Sequence, residues 1–285
     1  MDGIFLIDKE KDYTSRDVVN IISKKFKTKK VGHAGTLDPL ATGMLVIGIN
    51  KGTKILEYLT NDFKEYEAEV ILGIETDSLD ITGNIIKENM VNNITNEDIK
   101  KTLKSFLGKS NQEVPKYSAV KVKGKKLYEY ARNNEDVALP SKEIEIKNIE
   151  LTKSLTKENG YYTFSFKCLA SKGTYIRSLI RDIGLKLNTL ATMNNLRRLK
   201  QGIFKIEDSK GVNEINVSNL ISLKDALINY KFIEVSNLEE IKILNGNKLD
   251  YQITEEIVVL INKEDKVLAI YQKDNDKIKP VKVFT

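Results

Sequence analysis

Apolar residues in the first 75 positions follow patterns that predict strands separated by helices. The runs GIFLIDK (3–9) and MLVIGI (44–49) predict strands, the second of them buried, and EYEAEVILGI (65–74) alternates like a half-exposed strand. Between the first two, TSRDVVNIISKKF predicts a helix with Thr14 or Ser15 as its N-cap, and KILEYL predicts a short helix. The longer helix places four apolar side chains on one face, namely Val18, Val19, Ile22 and Phe26.

The remaining pattern predicts the fold class. NEDIKKTLKSFL and TYIRSLIRDIGLKL are helix-like, whereas YSAVKVK, EIEIKNIEL and YYTFSFKCLA are strand-like. Because strands are numerous and are not followed regularly by crossover helices, we expect an α+β protein with a mainly antiparallel, mixed sheet flanked by helices. The pattern weakens between about 208 and 230, and IVVLIN, VLAIY and VKVF then predict a small β-rich C-terminal domain. We therefore divide the chain into residues 1–230 and 231–285.

Composition excludes several classes of protein. One cysteine, Cys168, and one histidine, His33, cannot supply a Cys/His zinc site, and the sequence contains neither a P-loop nor a dinucleotide-binding GxGxxG. No apolar run is long enough to cross a bilayer, and the N-terminus lacks the pattern of a secretory signal. We expect a cytoplasmic protein that does not contact membranes.

The formal net charge of +6 is unevenly distributed. Residues 114–133 hold six Lys/Arg against one Glu, and residues 167–201 hold eight Lys/Arg against one Asp. Tyrosines lie among these cations, a combination that suits a polyanion with stackable bases, which describes nucleic acid. The charge distribution by itself agrees equally well with an alternative, in which the two segments are solvated lysine-rich surfaces that bind no nucleic acid.

The segment VGHAGTLDPLATG (31–43) surrounds Asp38 with residues that restrict or permit unusual backbone conformations. Its three glycines allow conformations closed to other residues, and Pro39 biases Asp38 toward an extended conformation. A loop of this kind presents a carboxylate in a fixed direction, as a nucleophile or general base requires. On local physics alone the alternative, an Asp-Pro turn without chemistry, is the more common use of this dipeptide.

Six blocks of the sequence, in order, decide between these interpretations. GIFLIDKEKDYTSRDVV, VGHAGTLDPLATGMLVIGI, KEYEAEVILGIETDSLDITG, VPKYSAVKVKGKKLYEYAR, SKGTYIRSLIRDIG and LRRL cover residues 3 to about 204. Together they resemble the bacterial TruB family, the tRNA pseudouridine-55 synthases. The resemblance implies the pseudouridine synthase fold and the isomerisation of one T-loop uridine of tRNA to pseudouridine, without cofactor or metal.

The resemblance also implies roles for individual residues. Asp38 corresponds to the catalytic aspartate, and Arg177 to the cation that keeps this carboxylate ionised inside a pocket with little water. Tyr66 corresponds to the tyrosine that lies against the target base and is a candidate for proton transfer at C5. Tyr175 and Leu196 correspond to residues that bracket the uracil, although plain core packing explains Leu196 equally well.

The remaining implied contacts are with RNA. His33 corresponds to a histidine beside the flipped nucleotides, and its alternative is a buried histidine that ties the loop together. Residues from about 114 to 140 match a thumb-like insertion, which we expect to become ordered on the RNA. Its six cations are expected to contact phosphates and make affinity salt-dependent, namely Lys116, Lys121, Lys123, Lys125, Lys126 and Arg132.

The C-terminal stretch more loosely resembles a PUA-type RNA-binding domain. The expected partner of the whole chain is the T arm of tRNA, and nothing in the sequence requires a second subunit, so we expect a monomer.

Two other functions stay open at this point. One is a tRNA chaperone that uses the same RNA-binding surfaces. The other is a glycosidase or nucleoside hydrolase, which normally needs two carboxylates, whereas only Asp38 has a defined setting in this sequence.

Overall fold

The computed structural model describes residues 1–60, 63–133, 135–158 and 160–284. Asn134 in the expected thumb-like insertion and Thr285 at the end of the expected C-terminal domain lie outside this part of the chain. Within the same ranges, no helix is both long enough and apolar enough to cross a membrane.

The helices are few and short. The α-helices are α1 (Ser15–Lys25), α2 (Asn96–Lys104), α3 (Leu127–Arg132), α4 (Ile176–Lys186), α5 (Leu223–Ala226) and α6 (Asn237–Leu244). Among the described residues, three 3₁₀ helices span Asn50–Ile55, Ile206–Asp208 and Val217–Asn219.

Strands make up most of the regular structure. The first nine are β1 (Gly3–Lys9), β2 (Val31–Ala34), β3 (Thr42–Ile49), β4 (Lys64–Leu72), β5 (Ile74–Thr76), β6 (Ile85–Glu88), β7 (Gly108–Glu113), β8 (Lys121–Val122) and β9 (Lys125–Lys126). The others are β10 (Ser141–Glu158), β11 (Tyr161–Ala170), β12 (Ala191–Gln201), β13 (Phe204–Lys205), β14 (Lys210–Gly211), β15 (Lys231–Glu234), β16 (Ile257–Ile261), β17 (Val267–Asp274) and β18 (Lys277–Val283).

A central mixed sheet organises the molecule. Its strand order is β14-β1-β3-β12-β4-β11-β10-β7, with β2 paired to β3 and β13 paired to β12. The pairs β1/β14 and β3/β12 are parallel, and the other pairs of this sheet are antiparallel. This topology confirms the predicted α+β class.

The central sheet is covered on both faces, which explains the nearly continuous apolar run in β3. Leu45 and Ile47 belong to the core beneath α1, α2 and α4, whereas Met44 and Val46 belong to a second core on the opposite face. Alternate side chains of a strand point to opposite faces, so both sets are buried. The second core also contains Val259 and other residues of the C-terminal strands.

Helix α1 confirms the sequence prediction. Thr14 is its N-cap, accepts a hydrogen bond from the Asp17 N–H and donates to the Asp17 carboxylate from its own backbone N–H, which forms a capping box. Val18, Val19 and Ile22 are buried in the core, with Phe26 packed against it. The helix therefore begins where its cap predicts and runs beside the Asp38 segment.

Three local predictions are wrong. KILEYL does not form a helix of its own, because the helical turn is a 3₁₀ helix at Asn50–Ile55 that ends as this stretch begins. YSAVKVK contributes only the two residues Lys121–Val122 to a strand, since it lies in a small separate hairpin outside the sheet. The segment 31–43 is not wholly a loop, since Val31–Ala34 pair with β3.

Strand β12 was missed although it lies in the middle of the sheet, between β3 and β4. Its sequence, ATMNNLRRLKQ, lacks an apolar alternation because three of its buried side chains are polar, namely Thr192, Arg198 and Gln201. Central strands ordinarily bury apolar side chains, so this composition is unusual. Arg198 and Leu196 project from this strand into the site described below.

The C-terminal segment forms a second, four-stranded sheet in the order β15-β16-β17-β18. The predicted strands IVVLIN, VLAIY and VKVF correspond to β16, β17 and β18. One side of this sheet contributes to the second core, and the other packs with α6 around residues such as Ile243 and Tyr271. The C-terminal sheet is thus joined to the back of the central sheet by shared apolar packing.

Candidate active site

The segment between β2 and β3 carries Asp38 and is fixed by hydrogen bonds to the start of the chain. The Leu37 N–H donates to Ser15 Oγ over 2.9 Å, at the first turn of α1. The Asp12 N–H donates to the carbonyl oxygen of Pro39, also over 2.9 Å. Both residues that neighbour Asp38 are therefore tied to the α1 region, which fixes the direction of its carboxylate.

Arg198 holds the same segment from the sheet side. Its side chain is nearly inaccessible, at 1% exposure, and donates from Nη2 to Gly35 O over 2.9 Å and from Nε to Met44 O over 2.6 Å. Gly43 lies against this strand, and a Cβ there would stand 2.3 Å from the carbonyl oxygen of Arg198. A glycine is required at that point because β3 and β12 approach so closely.

The carboxylate of Asp38 is bound by Arg177, as the resemblance implied. Arg177 Nε lies 2.9 Å from Asp38 Oδ2, with the side chains 7% and 39% exposed respectively. The other guanidinium nitrogens donate to Ser78 O over 2.8 Å and to Tyr117 O over 3.0 Å. Because each guanidinium nitrogen of Arg177 has an oxygen partner, the side chain is held in place beside the carboxylate, and such a charge-assisted contact is stronger than a neutral hydrogen bond.

A second carboxylate shares this guanidinium, and no motif in the sequence singled it out. Asp80 Oδ2 lies 3.9 Å from Arg177 Nε, and Asp80 Oδ1 accepts hydrogen bonds from Ser78 Oγ and from the Thr82 N–H, each over 3.0 Å. Asp80 is 8% exposed and lies outside the lining of the pocket. Asp38 is therefore the carboxylate of this pair that lines the pocket. Asp80 lies near the same guanidinium outside the pocket and offsets part of its positive charge.

A pocket of about 580 Å³ opens in front of Asp38. Its size falls in the range of small-molecule sites, large enough for one nucleoside. Five more of the predicted site residues line it, namely His33, Tyr66, Tyr175, Arg177 and Leu196. The structure thus brings together the predicted reacting carboxylate, its cation and the side chains expected to bracket a base.

Tyr66 lies on β4 directly beside Arg198 and is buried. Burial raises the pKa of its phenol, and the hydrogen-bonded Arg198 guanidinium opposes that shift in part. The phenol is consequently neutral at pH 7. Tyr66 lines the pocket, and Cys168 on the neighbouring strand pairs with it across the sheet.

His33 lies on β2 with its ring in the pocket lining. Its Nδ1 atom is buried and has no hydrogen-bond partner among the described residues, so this nitrogen does not tie the loop together. Burial lowers the pKa of His33, and the nearby cations Arg16 and Arg198 lower it further. The imidazole is therefore neutral, with an unused polar atom beside the pocket.

Tyr175 and Leu196 occupy different walls of the pocket. Tyr175 is the N-cap residue of α4, immediately before the turn that carries Arg177, and burial raises the pKa of its phenol. Leu196 is buried on β12 and belongs to the main core as well as to the pocket lining. Leu196 is therefore both a core residue and a pocket-lining residue.

The six cations predicted to contact phosphates differ in their surroundings. Lys121, Lys123 and Arg132 are exposed, whereas Lys116 and Lys126 are half-buried. Lys125 Nζ is bound by Glu135, 2.6 Å and 2.7 Å from the two carboxylate oxygens, and lies 4.6 Å from the centre of the Tyr130 ring. In this structure Lys125 is therefore already paired with an acid.

A third basic segment was not predicted from the sequence. It lies in α1 and the turn that follows, where residues 16–30 hold six cations and one acid. All six are exposed and absent from the ion pairs of the described residues, namely Arg16, Lys24, Lys25, Lys27, Lys29 and Lys30. This segment runs directly into β2 and His33, and counting charge in short windows reveals it.

Two buried lysines also escaped prediction. Lys9, nearly inaccessible on β1, donates from Nζ to the carbonyl oxygens of Glu10 over 2.9 Å and Pro39 over 3.3 Å. Lys64 lines the pocket two residues before Tyr66 and donates to Thr60 O over 3.1 Å. A lysine in a strand-like segment is predicted to be exposed to solvent. Only the packing of the folded chain distinguishes a buried lysine from an exposed one.

Solved structures support the fold. The chain resembles a protein in a Cbf5-Nop10-Gar1 complex with a TM-score of 0.72 and 23% identity, covering 99% of this chain and 84% of the other. It matches a chain of an H/ACA RNP bound to a substrate RNA containing 2′-deoxyuridine with the same TM-score, 21% identity and 85% coverage of that chain. At these identities the likeness concerns the fold.

Sequence comparisons are more specific. The chain is 44% identical over 301 residues to the tRNA pseudouridine synthase B of Oceanobacillus iheyensis, covering 100% of this chain and 98% of the relative. It is 40% identical to the protein of that name from Clostridium tetani, over the full length of both. The protein of that name from Mesoplasma florum is 38% identical, covering 97% of this chain and 95% of the relative.

Two family descriptions match consecutive parts of the chain. The N-terminal domain of the TruB family pseudouridylate synthases matches residues 23–176, which include Asp38, Tyr66 and the thumb-like insertion. The C-terminal domain of tRNA pseudouridylate synthase B matches residues 177–240, from Arg177 into α6. The geometry around Asp38, the shared fold and the full-length relatives agree, and the chain belongs to the TruB family of pseudouridine synthases.

Proposed function

We propose that this chain isomerises uridine 55 in the T loop of tRNA to pseudouridine without a cofactor, with Asp38 as the reacting carboxylate. The broader activity follows from family membership: the chain is a TruB-type tRNA pseudouridine synthase, an isomerase whose substrate is tRNA. One observation supports the finer proposal above all. An arginine-bound carboxylate stands at the wall of a pocket large enough for a single nucleoside.

The reaction exchanges one bond to the ribose for another. The bond between C1′ and N1 breaks, the uracil turns, and a bond forms between C1′ and C5, after which C5 loses its proton and N1 gains one. Asp38 attacks C1′, attacks C6 of the base, or takes a proton on a route through a glycal. Each route requires the carboxylate in a fixed direction, and its contact with Arg177 and the two anchored neighbours of Asp38 support that direction.

The proposed roles of the other pocket residues follow from their chemistry. Tyr66 packs against the extruded base as a neutral phenol, and Arg198 beside it would compensate charge if the C5 proton passed through the phenol oxygen. Tyr175 and Leu196 bracket the uracil, and base–aromatic stacking contributes roughly 1–3 kcal/mol to offset unstacking. His33 contacts the nucleotides left behind as a neutral ring.

The RNA backbone is proposed to cross three basic surfaces. The thumb-like insertion, from about 114 to 140, becomes ordered over the T arm through its exposed cations, and residues 167–201 and 16–30 add the others. Residues 231–285 serve as a PUA-like domain with nearly balanced charge, nine Lys against ten acids, and contribute less to affinity. We propose that the chain acts as a monomer in the cytoplasm, where its tRNA substrate is found.

The test uses unmodified tRNA carrying tritium at C5 of its uridines. Loss of the C5 proton releases tritium, so we expect release from wild-type protein and none from Asp38→Asn, a fall of at least about 10³-fold. Asp12→Asn is the matched control, because the backbone and not the side chain of Asp12 anchors the loop. Both variants should bind tRNA like the wild type.

Two other outcomes would indicate a different function, and two would contradict one part of the proposal. Binding and refolding of tRNA without tritium release would indicate a chaperone, and free uracil would indicate a hydrolase. Release that persists from a tRNA with cytidine at position 55 would contradict the proposed position alone. Release that persists in Asp38→Asn would contradict the role of this carboxylate.

A further inference from the structure

Strand β7 carries one buried side chain in an otherwise exposed sequence, and that side chain is polar. In GKSNQE, Gln112 is 3% exposed, whereas the other five residues face solvent. β7 is the edge strand of the central sheet, paired only with β10 along the described sheet path. A buried amide at such a position is costly unless its hydrogen bonds are made, so its partners indicate its purpose.

The Gln112 amide forms two hydrogen bonds, both to the backbone of Tyr175. Tyr175 N–H donates to Oε1 over 2.8 Å, and Nε2 donates to Tyr175 O over 3.1 Å. This pairing resembles a short piece of β-ladder made by a side chain. It fixes both backbone polar groups of Tyr175, and these two bonds together determine the orientation of the amide.

Tyr175 is the N-cap residue of α4, and its side chain makes no capping hydrogen bond. Its carbonyl oxygen also accepts the first bond inside the helix, from Leu179 N–H over 3.0 Å. The residue after next is Arg177, whose Nε binds Asp38. The backbone position of Tyr175 therefore sets two things at once, the direction of its ring into the pocket and the placement of the Arg177 guanidinium.

The next residue of β7 reinforces this attachment. Ser178 Oγ donates to Glu113 O over 2.9 Å, and Arg181 Nη1 lies 2.7 Å from a carboxylate oxygen of Glu113. Tyr175, Ser178 and Arg181 are three residues apart and share one face of α4. The end of β7 thus holds that face of the helix, while Arg177 reaches toward Asp38 from another direction.

From this geometry we infer that Gln112 is a positioning residue for the isomerisation: its amide fixes the start of α4 so that Tyr175 and Arg177 reach the target nucleoside and Asp38. The inference rests on the proposed function. Gln112 lies outside the pocket lining and does not contact the base itself. Its loss should consequently slow the chemical step far more than it weakens tRNA binding, which depends mainly on phosphate contacts.

The test compares two substitutions at this position with a control elsewhere in the sheet. Gln112→Met keeps the length and removes both hydrogen bonds, whereas Gln112→Glu keeps the shape and the acceptor for Tyr175 N–H. Thr163→Val on β11 is the control, because it changes a polar residue that is about equally buried, away from the pocket. Single-turnover rates on tRNA, dissociation constants and melting temperatures are measured for all four proteins.

We expect the single-turnover rate of Gln112→Met to fall roughly 10²-fold, the size of effect that a 1 Å misplacement produces. Its dissociation constant for tRNA should stay close to the wild-type value, and Gln112→Glu should give an intermediate rate. Thr163→Val should lower the melting temperature without a comparable fall in rate.

Two results would overturn the inference. One is a wild-type rate in Gln112→Met, or in Gln112→Glu if the methionine variant does not fold. The other is a fall in rate in Thr163→Val as large as in Gln112→Met at the same decrease of melting temperature, since a structural role alone would then suffice. Failure of the proposed function is separate, because wild-type protein would then form no pseudouridine.

Discussion

Arg177 and Asp38 form the central contact of the site, with Nε of the guanidinium 2.9 Å from Oδ2 of the carboxylate. The same guanidinium donates to the carbonyl oxygens of Ser78, beside β5, and Tyr117, at the start of the thumb-like insertion. One side chain thus connects the Asp38 segment, a turn and the thumb-like insertion. Its rigid fork can satisfy three acceptors at once, which a lysine ammonium on a flexible chain does less precisely.

Replacement of Arg177 should reduce rate more than affinity. In Arg177→Ala the carboxylate loses its cation and its fixed direction, so we expect the single-turnover rate to fall about 10²-fold or more, with Arg177→Lys in between. Binding of tRNA, measured by filter retention, should change little. Arg197→Ala is the control, because Arg197 forms a two-bond pair with Asp8 outside the pocket. Equal decreases in the two alanine variants would argue against this role.

Cations of the thumb-like insertion should differ in their effect on tRNA affinity. Lys121 and Lys123 are exposed, and replacing both by alanine should weaken binding. The slope of log affinity against log salt should become shallower by roughly 0.7–0.9 for each phosphate that is no longer neutralised. Lys125→Ala should have a smaller effect, since its ammonium is held by Glu135. A larger change of slope in Lys125→Ala than in the double variant would show that the Glu135 pair opens on RNA.

His33 should act through its ring and not through its charge. Because burial and neighbouring cations lower its pKa below 6.5, the imidazole is neutral at pH 7. We expect His33→Phe to keep most activity and His33→Ala to lose roughly 1–3 kcal/mol of tRNA binding, the value of one stacking contact. Rate profiles from about pH 6.5 to 8.5, above the ordinary histidine pKa, should have the same shape in wild type and His33→Phe. A wild-type inflection that disappears in His33→Phe would indicate proton transfer instead.

Lys9 should make stability depend on alkaline pH. Burial lowers the pKa of Lys9 from 10.5 to about 8, although the nearby Asp38 and Asp12 carboxylates oppose the shift. Between these values the unfolded chain binds more protons than the folded one, so the free energy of unfolding should rise with pH relative to Lys9→Met. Below about pH 8 the buried charge destabilises the wild type by a constant amount. Urea unfolding from about pH 7 to 10 measures this, and a difference that stays flat would contradict it.

The sequence predicted the positions of helices and strands wherever apolar periodicity and capping residues determine an element. β1, α1 and β11 appear where their patterns predict, because each buries a regular apolar stripe or alternation. The motif around Asp38, with its glycines and Pro39, and the ordered blocks further along the chain were sufficient to indicate the family and the predicted site residues.

Tertiary structure decided what no pattern records. β12 lies at the centre of the sheet with Arg198 buried, and Gln112 is buried against α4, because hydrogen bonds to distant segments satisfy their polar atoms. Asp80 is buried beside Arg177, where local hydrogen bonds from Ser78 and Thr82 and a long-range ion pair with Arg177 offset its charge. Sequence patterns predict that such polar residues are exposed. A polar side chain is buried only where the fold supplies its hydrogen-bond or charge partners, and these come from the tertiary structure. The sequence therefore determined the family and the residues predicted to react, whereas long-range packing decided which buried polar groups hold those residues in position.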